Sequence, residues 1–129
     1  MPGTVVDASA LAAVVFGEPE AAPVVASVAG ELHAPTLLHY ELASVCTIKL
    51  IRHPQRAADI LARYALLPQL RLICVEPDWD GLPQLARRWA LSAYDAAYLQ
   101  LALKLDARLV TLDARLAAAW EDAIGPGQA

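Results

Sequence analysis

No apolar run in this chain of 129 residues reaches the roughly 18 uninterrupted residues that a membrane span needs, so a membrane protein is not expected. The N-terminus passes from Met1-Pro2-Gly3-Thr4 straight into Val5-Val6 without a basic stretch, which argues against a secretory leader. Cysteine is scarce. Cys46 and Cys74 each lie in an apolar segment, where a free thiol packs as a small hydrophobe. Two such residues make no disulfide framework, and a reducing, cytoplasmic setting is the expectation. Positive charge is short as well. A formal net charge of −4 argues against a protein that coats nucleic acid by electrostatics alone. It leaves room for one that acts on nucleic acid locally, with bound cations or a small basic rim supplying the attraction. Lys49, Arg52 and Arg56 form the densest basic group and Arg87-Arg88 a second; each reads as a solvated helix face. His33, His39 and His53 are scattered and the cysteines form no Cys-x-x-Cys pair, so nothing has the spacing of a zinc site. No repeat, low-complexity tract or long linker divides the chain. One domain over residues 1–124 is expected, with 125–129 as a frayed tail.

What the chain does have is hydrophobic residues, 57% of the total, enough at this length for a real core. Residues 4–6 read as a short buried strand, followed by a helix over 8–16 and another over 18–28. Residues 32–34 are a weaker strand, ended by Pro35. Thr36 is placed to cap a long helix to about residue 51, and a further helix is expected over 54–66. Residues 70–75 read as a strand, 78–90 and 93–105 as helices, 108–111 as a strand and 114–120 as a helix. Short apolar strands alternating with helices describe a three-layer α/β/α domain with a mostly parallel sheet. Such sheets bind ligands beyond the carboxyl ends of their strands, where strand order reverses.

Two acids fall where that rule directs attention, and two more stand on helices. Asp7 follows the first strand and Asp113 the last of these strands. Either could simply cap the next helix, a role worth roughly 1 kcal/mol. Asp95, in Ser92-Ala93-Tyr94-Asp95, resembles the acid of a capping box at the start of a largely buried helix. Glu41 lies within a helical segment rich in Leu, Val, Ala and Ile; it either faces solvent or needs a partner, since burying an unpaired charge is costly. If the four converge, each pair at about 4 Å repels by about 4 kcal/mol at an effective dielectric of about 20. Caps do not offset that, whereas a divalent cation does. Hard oxygen ligands suit Mg²⁺ or Mn²⁺.

Four segments together resemble the PIN-domain family, and most closely its VapC-type toxins: VVDASAL at 5–11, HYELASV at 39–45, LSAYDAAYLQLA at 91–102 and LVTLDARLAAA at 109–119. The resemblance implies a parallel sheet in the order 3-2-1-4-5, with a poorly marked final strand near Ala123-Ile124. It implies that Asp7, Glu41, Asp95 and Asp113 hold Mg²⁺ or Mn²⁺, partly through water, and that Ser9 and Thr111 orient a carboxylate or a water. Asp106 stands where relatives commonly have Gly, and reads as a helix C-cap rather than a fifth ligand. The implied function is a metal-dependent endoribonuclease, the toxin of a toxin–antitoxin pair, in which a metal-activated water attacks the phosphorus and leaves 5′-phosphate and 3′-hydroxyl ends. The implied partners are RNA, a cognate antitoxin and a second copy of the chain. Two other readings remain: a non-cleaving PIN-fold module that binds RNA or protein, and a phosphatase with Asp7 as nucleophile. The phosphatase is disfavoured by Ser9, where such enzymes carry a second Asp.

Overall fold

The computed structural model describes residues 3–125. Among them are four strands, β1 (Thr4–Val6), β2 (Leu32–Pro35), β3 (Ile73–Val75) and β4 (Arg108–Val110), paired in the order β3-β2-β1-β4 with every pair parallel. Thr4 pairs with Leu32 on one side and Arg108 on the other, and Val6 pairs with Val110. Seven α-helices among the described residues surround the sheet: α1 (Ala8–Val15), α2 (Ala21–Ser27), α3 (Leu38–Arg52), α4 (Ala57–Tyr64), α5 (Leu82–Trp89), α6 (Ala93–Leu105) and α7 (Ala114–Ile124), with short 3-10 turns at Pro54–Arg56 and Leu67–Leu70.

Successive strand residues point to opposite faces. Thr4, Val5 and Val6 are all buried, so both faces of β1 are covered, as expected of a three-layer parallel sheet. One packed group is α5, α6 and α7, with α6 against β1, β2 and β4; the other runs from α2 through α1 and α3 to α4. Helix α6 buries Ala96, Ala97, Tyr98, Leu99, Leu101 and Ala102, which is why it shows no polar face over its middle turns. Each such Leu contributes about 1.5–3 kcal/mol on burial.

The fifth strand that the resemblance implies is not formed by Ala123 and Ile124. These residues complete α7, which has no Gly or Pro to stop it before Gly125, at φ 89°. Residues 126–129, the rest of the expected tail, lie outside the described residues. Thr36 does not cap α3 either. Its hydroxyl donates to Glu76 Oε1 at 2.7 Å, and the helix begins two residues later, at Leu38, without a side-chain cap. Helix α5 starts at Leu82 rather than 78, because Asp78 and Asp80 form a turn, with the Asp80 N–H donating to Asp78 Oδ1. Pro83 then sits in the first turn, where its missing N–H costs nothing. Asp106 ends α6 in the left-handed conformation (φ 51°), as a C-cap. The Ala107 N–H closes the turn on the Ala102 carbonyl at 2.9 Å.

Candidate active site

Beyond the carboxyl ends of β1 and β4, two of the four acids are built into the backbone. Asp7 caps α1: its Oδ1 accepts from the Ala10 N–H at 3.0 Å and from Ser9 Oγ at 2.8 Å. Its Oδ2 accepts from Thr111 Oγ1 at 2.5 Å. The Thr111 oxygen accepts in turn from the Asp113 N–H at 2.9 Å, and Ser9 Oγ from the Leu112 N–H at 3.0 Å. Asp113 caps α7 through Oδ1, which accepts from the N–H groups of Arg115 and Leu116 at 2.9 and 3.2 Å. Both plain capping roles are therefore real. They also hold the carboxylates at the mouth of the crevice, and Ser9 and Thr111 cross-link the two strand ends.

The other two acids stand on helices. Because α3 begins at Leu38, Glu41 lies in its first turn rather than in its interior, where the helix dipole favours a negative charge. Its partner is neither solvent alone nor a base: Glu41 Oε1 accepts from the hydroxyl of Tyr98 at 2.5 Å. Asp95 lies in the first turn of α6, and its N–H donates to the Ser92 cap at 3.1 Å. Tyr98, almost wholly buried, was not singled out by sequence. The available signal was its position three residues after Asp95, on the same side of α6.

The electrostatics tie the four together. Burial pushes the Asp7 carboxyl above its ordinary value; the hydrogen bonds from Thr111, Ala10 and Ser9 oppose this, and the charge of Asp113 adds to it. Glu41 is raised first by burial and then by Asp95 and Asp7, against the hydrogen bond from Tyr98. Asp95 is raised by burial, then by Asp113 and Asp7, with Ser92 and Arg115 acting the other way. Glu41 thus feels Asp95 and Asp7, Asp95 feels Asp113 and Asp7, and Asp7 feels Asp113. Arg115 acts on Asp95 alone, and no cation among the described residues acts on Asp7 or Glu41. The acids face one another without closing on a point. Among the described residues no three Asp, Glu, His or Cys side chains are placed to ligate a single ion together. Beside them lies a cleft of about 530 Å³, lined by Ala8, Ser9, Tyr40, Glu41, Ser44, Val45 and Tyr94.

The histidines stand apart from this site. His39 and His53 are exposed, whereas His33 has a buried Nδ1 without a partner among the described residues. No described helix is long and apolar enough to cross a membrane.

The PIN-domain family model matches residues 4–120. Curated relatives include VapC ribonuclease Mb0985 of Mycobacterium bovis and ribonuclease VapC9 of Mycobacterium tuberculosis; each is 40% identical over 116 residues, covering 87% of this chain and 87% of the relative. Among solved structures, PAE2754 from Pyrobaculum aerophilum is similar at 25% identity with a TM-score of 0.67, over 90% of this chain and 84% of that one. The sarcin-ricin-loop-cleaving toxin VapC20 of Mycobacterium tuberculosis shares the fold at 21% identity with a TM-score of 0.63, over 90% of this chain and 94% of that one. The chain that holds these four acids at its sheet edge belongs to the PIN-domain family, in the group of the VapC ribonucleases.

Proposed function

We propose that this protein is a metal-dependent endoribonuclease, the toxin of a toxin–antitoxin pair, with Asp7, Glu41, Asp95 and Asp113 as its catalytic and metal-holding residues. The observation that carries the reading is the gathering of four carboxylates beyond the carboxyl edge of a parallel sheet, where the charges of Asp7, Asp95 and Asp113 raise the proton affinity of neighbouring acids. The ribonuclease names of the 40%-identical relatives support the substrate class. The donors are hard oxygens, which suit Mg²⁺ or Mn²⁺. Because no three of them converge on one ion, some of its ligands would be water. The bound cation would supply the positive charge that makes water nucleophilic and offsets charge on the phosphoryl and leaving oxygens.

The chain's own contribution is positioning. Thr111, Ser9 and the Ala10 N–H fix both oxygens of Asp7, so that this carboxylate presents one orientation. Tyr98 holds Glu41 Oε1 and leaves Oε2 free of protein donors among the described residues. Asp113 spends Oδ1 on its helix cap, and Oδ2 remains available. Ser9 and Thr111 act here as positioning residues. For partners, Ile48 and Ile51 on α3 and Leu61 on α4 are exposed apolar side chains, which supports contact with an antitoxin or a second copy. A cytoplasmic location goes with this reading.

The spread of the acids favours one competing reading, a PIN-fold module that holds RNA or protein without cutting it. Incubating purified protein with structured RNAs and Mg²⁺ or Mn²⁺, then analysing the ends, separates the two. The nuclease reading expects cation-dependent cuts with 5′-phosphate and 3′-hydroxyl ends, lost by about 10²–10³-fold in Asp95→Asn. Undiminished cutting by that variant would overturn the site assignment, and RNA retention without any cut would establish the module.

A further inference from the structure

The cleft beside the acids is not a phosphate groove. Its one charged lining residue is Glu41, and no Lys or Arg lines it. The cleft thus offers no cationic side chain to pair with a phosphate, and its lining suits a neutral, largely flat group. Two aromatic side chains supply the walls. Tyr40 is 81% exposed and Tyr94 66% exposed, the largest exposures of any aromatic residue in the described chain. They come from different helices, α3 and α6, and meet at one cleft. Each directly precedes an acid, Tyr40 before Glu41 and Tyr94 before Asp95. Neighbours on a helix diverge by about 100°, so each helix turns its acid inward and its ring to the rim. Neither phenol has a hydrogen-bond partner among the described residues, and the hydroxyls of Ser9 and Ser44 stand on the same wall.

We infer that Tyr40 and Tyr94 form a stacking clamp for one unstacked nucleobase of the RNA, adjacent to the bond to be cut, with Ser9 and Ser44 facing the edge of that base. This rests on the ribonuclease reading and adds to it a requirement for single-stranded or bulged substrate. Aromatic platforms suit such a task because every base has a π-face, while a base still stacked in a duplex cannot enter. The volume of about 530 Å³ lies within the range of about 300–1,000 Å³ usual for small-ligand sites.

The test uses RNA oligonucleotides carrying 2-aminopurine, a base whose fluorescence reports stacking, at successive positions around the cleavage point. Binding without divalent cation should alter the fluorescence at one position. Tyr40→Ala and Tyr94→Ala should abolish that change and raise KM by about 5- to 150-fold, with kcat nearly unchanged. Tyr40→Phe and Tyr94→Trp should retain both, which also controls for loss of folding. Wild-type cutting with alanine variants unchanged in KM and fluorescence would overturn the clamp and leave the nuclease standing. A tyrosine-dependent fluorescence change without cutting would retain the clamp and overturn the nuclease. If the alanine variants bind RNA normally but lose a co-expressed protein partner, the cleft is a protein docking surface and the clamp falls.

Discussion

The four acids divide into two pairs held in different ways. Asp7 and Asp113 sit where strands end, each capping a helix, and are joined through Thr111 and Ser9 in a web of hydrogen bonds spanning the first and last thirds of the chain. Glu41 and Asp95 stand in the first turns of helices; Glu41 relies on one phenol, and Asp95 accepts no hydrogen bond from another element among the described residues. The first pair is tied into helix caps and a cross-strand web, and the second stands outside that web. A substitution in the web should therefore disturb fold and site together, whereas one beside the second pair should disturb the site with little cost to the fold.

The sharpest way to break this contrast is Thr111→Val, which keeps the shape but removes the hydroxyl that donates to Asp7 and accepts from the Asp113 N–H. Losing both should destabilise the protein by about 1–3 kcal/mol in urea unfolding. RNA cleavage should fall by about 10–100-fold. Wild-type stability in this variant would mean that the web does not bind the strand ends together.

Tyr98→Phe probes the second pair. Its ring is buried and phenylalanine fills the same space, so stability should change by no more than about 0.5–1.5 kcal/mol. The hydrogen bond from Tyr98 lowers the Glu41 pKa, so its loss should move the acidic limb of the pH–rate profile to higher pH. Activity at neutral pH should fall about 10-fold. An unmoved limb would show that Glu41 does not titrate in the rate-limiting step.

The smallest effect is one of sign. The folded-state pKa values of Asp7, Glu41 and Asp95 are raised above their ordinary values of 3.8, 4.5 and 3.8. Native protein without cation therefore binds protons more readily than the unfolded chain. These groups favour the fold at low pH, and that contribution is lost as pH rises through their raised values. Asp95→Asn should thus raise the melting temperature in chelator at pH 7 by about 2–4 °C. The gain should shrink towards pH 4 and vanish with Mg²⁺ or Mn²⁺. A lower melting temperature in chelator would contradict the repulsion on which the site is argued.

The division between the pairs also explains what the sequence disclosed. Asp7 and Asp113 were legible because an apolar strand ending in Asp before a helix has a fixed meaning, set by neighbours in the chain. The apolar runs of β1 and β4 and the Ser92 cap of α6 were legible for the same reason. Asp106 as a C-cap came from the resemblance, whose Gly at that place marks a left-handed turn, and the structure has it there at φ 51°. Where the signal depended on a partner far along the chain, it failed. Thr36 carries every local mark of an N-cap, but Glu76 on the neighbouring segment takes its hydroxyl. The partner of Glu41 is 57 residues away, beyond the reach of any periodicity. The end of α7 was misjudged because helix formers continue unbroken to Gly125.

The contact between Asp7 and Thr111 joins residues 104 positions apart, and β1 pairs with β4 over the same span. The centre of the sheet thus closes only when the last strand reaches the first. Pairings of such long range form slowly, because the loop must be closed before any contact compensates for it. β1 can pair early with β2, through Thr4 and Leu32, but its other edge stays open until β4 is available. A chain cut anywhere before residue 111 keeps the Ser9 and Ala10 contacts of Asp7 but lacks the hydroxyl that fixes its Oδ2. The web that holds Asp7 therefore needs segments from opposite ends of the described chain.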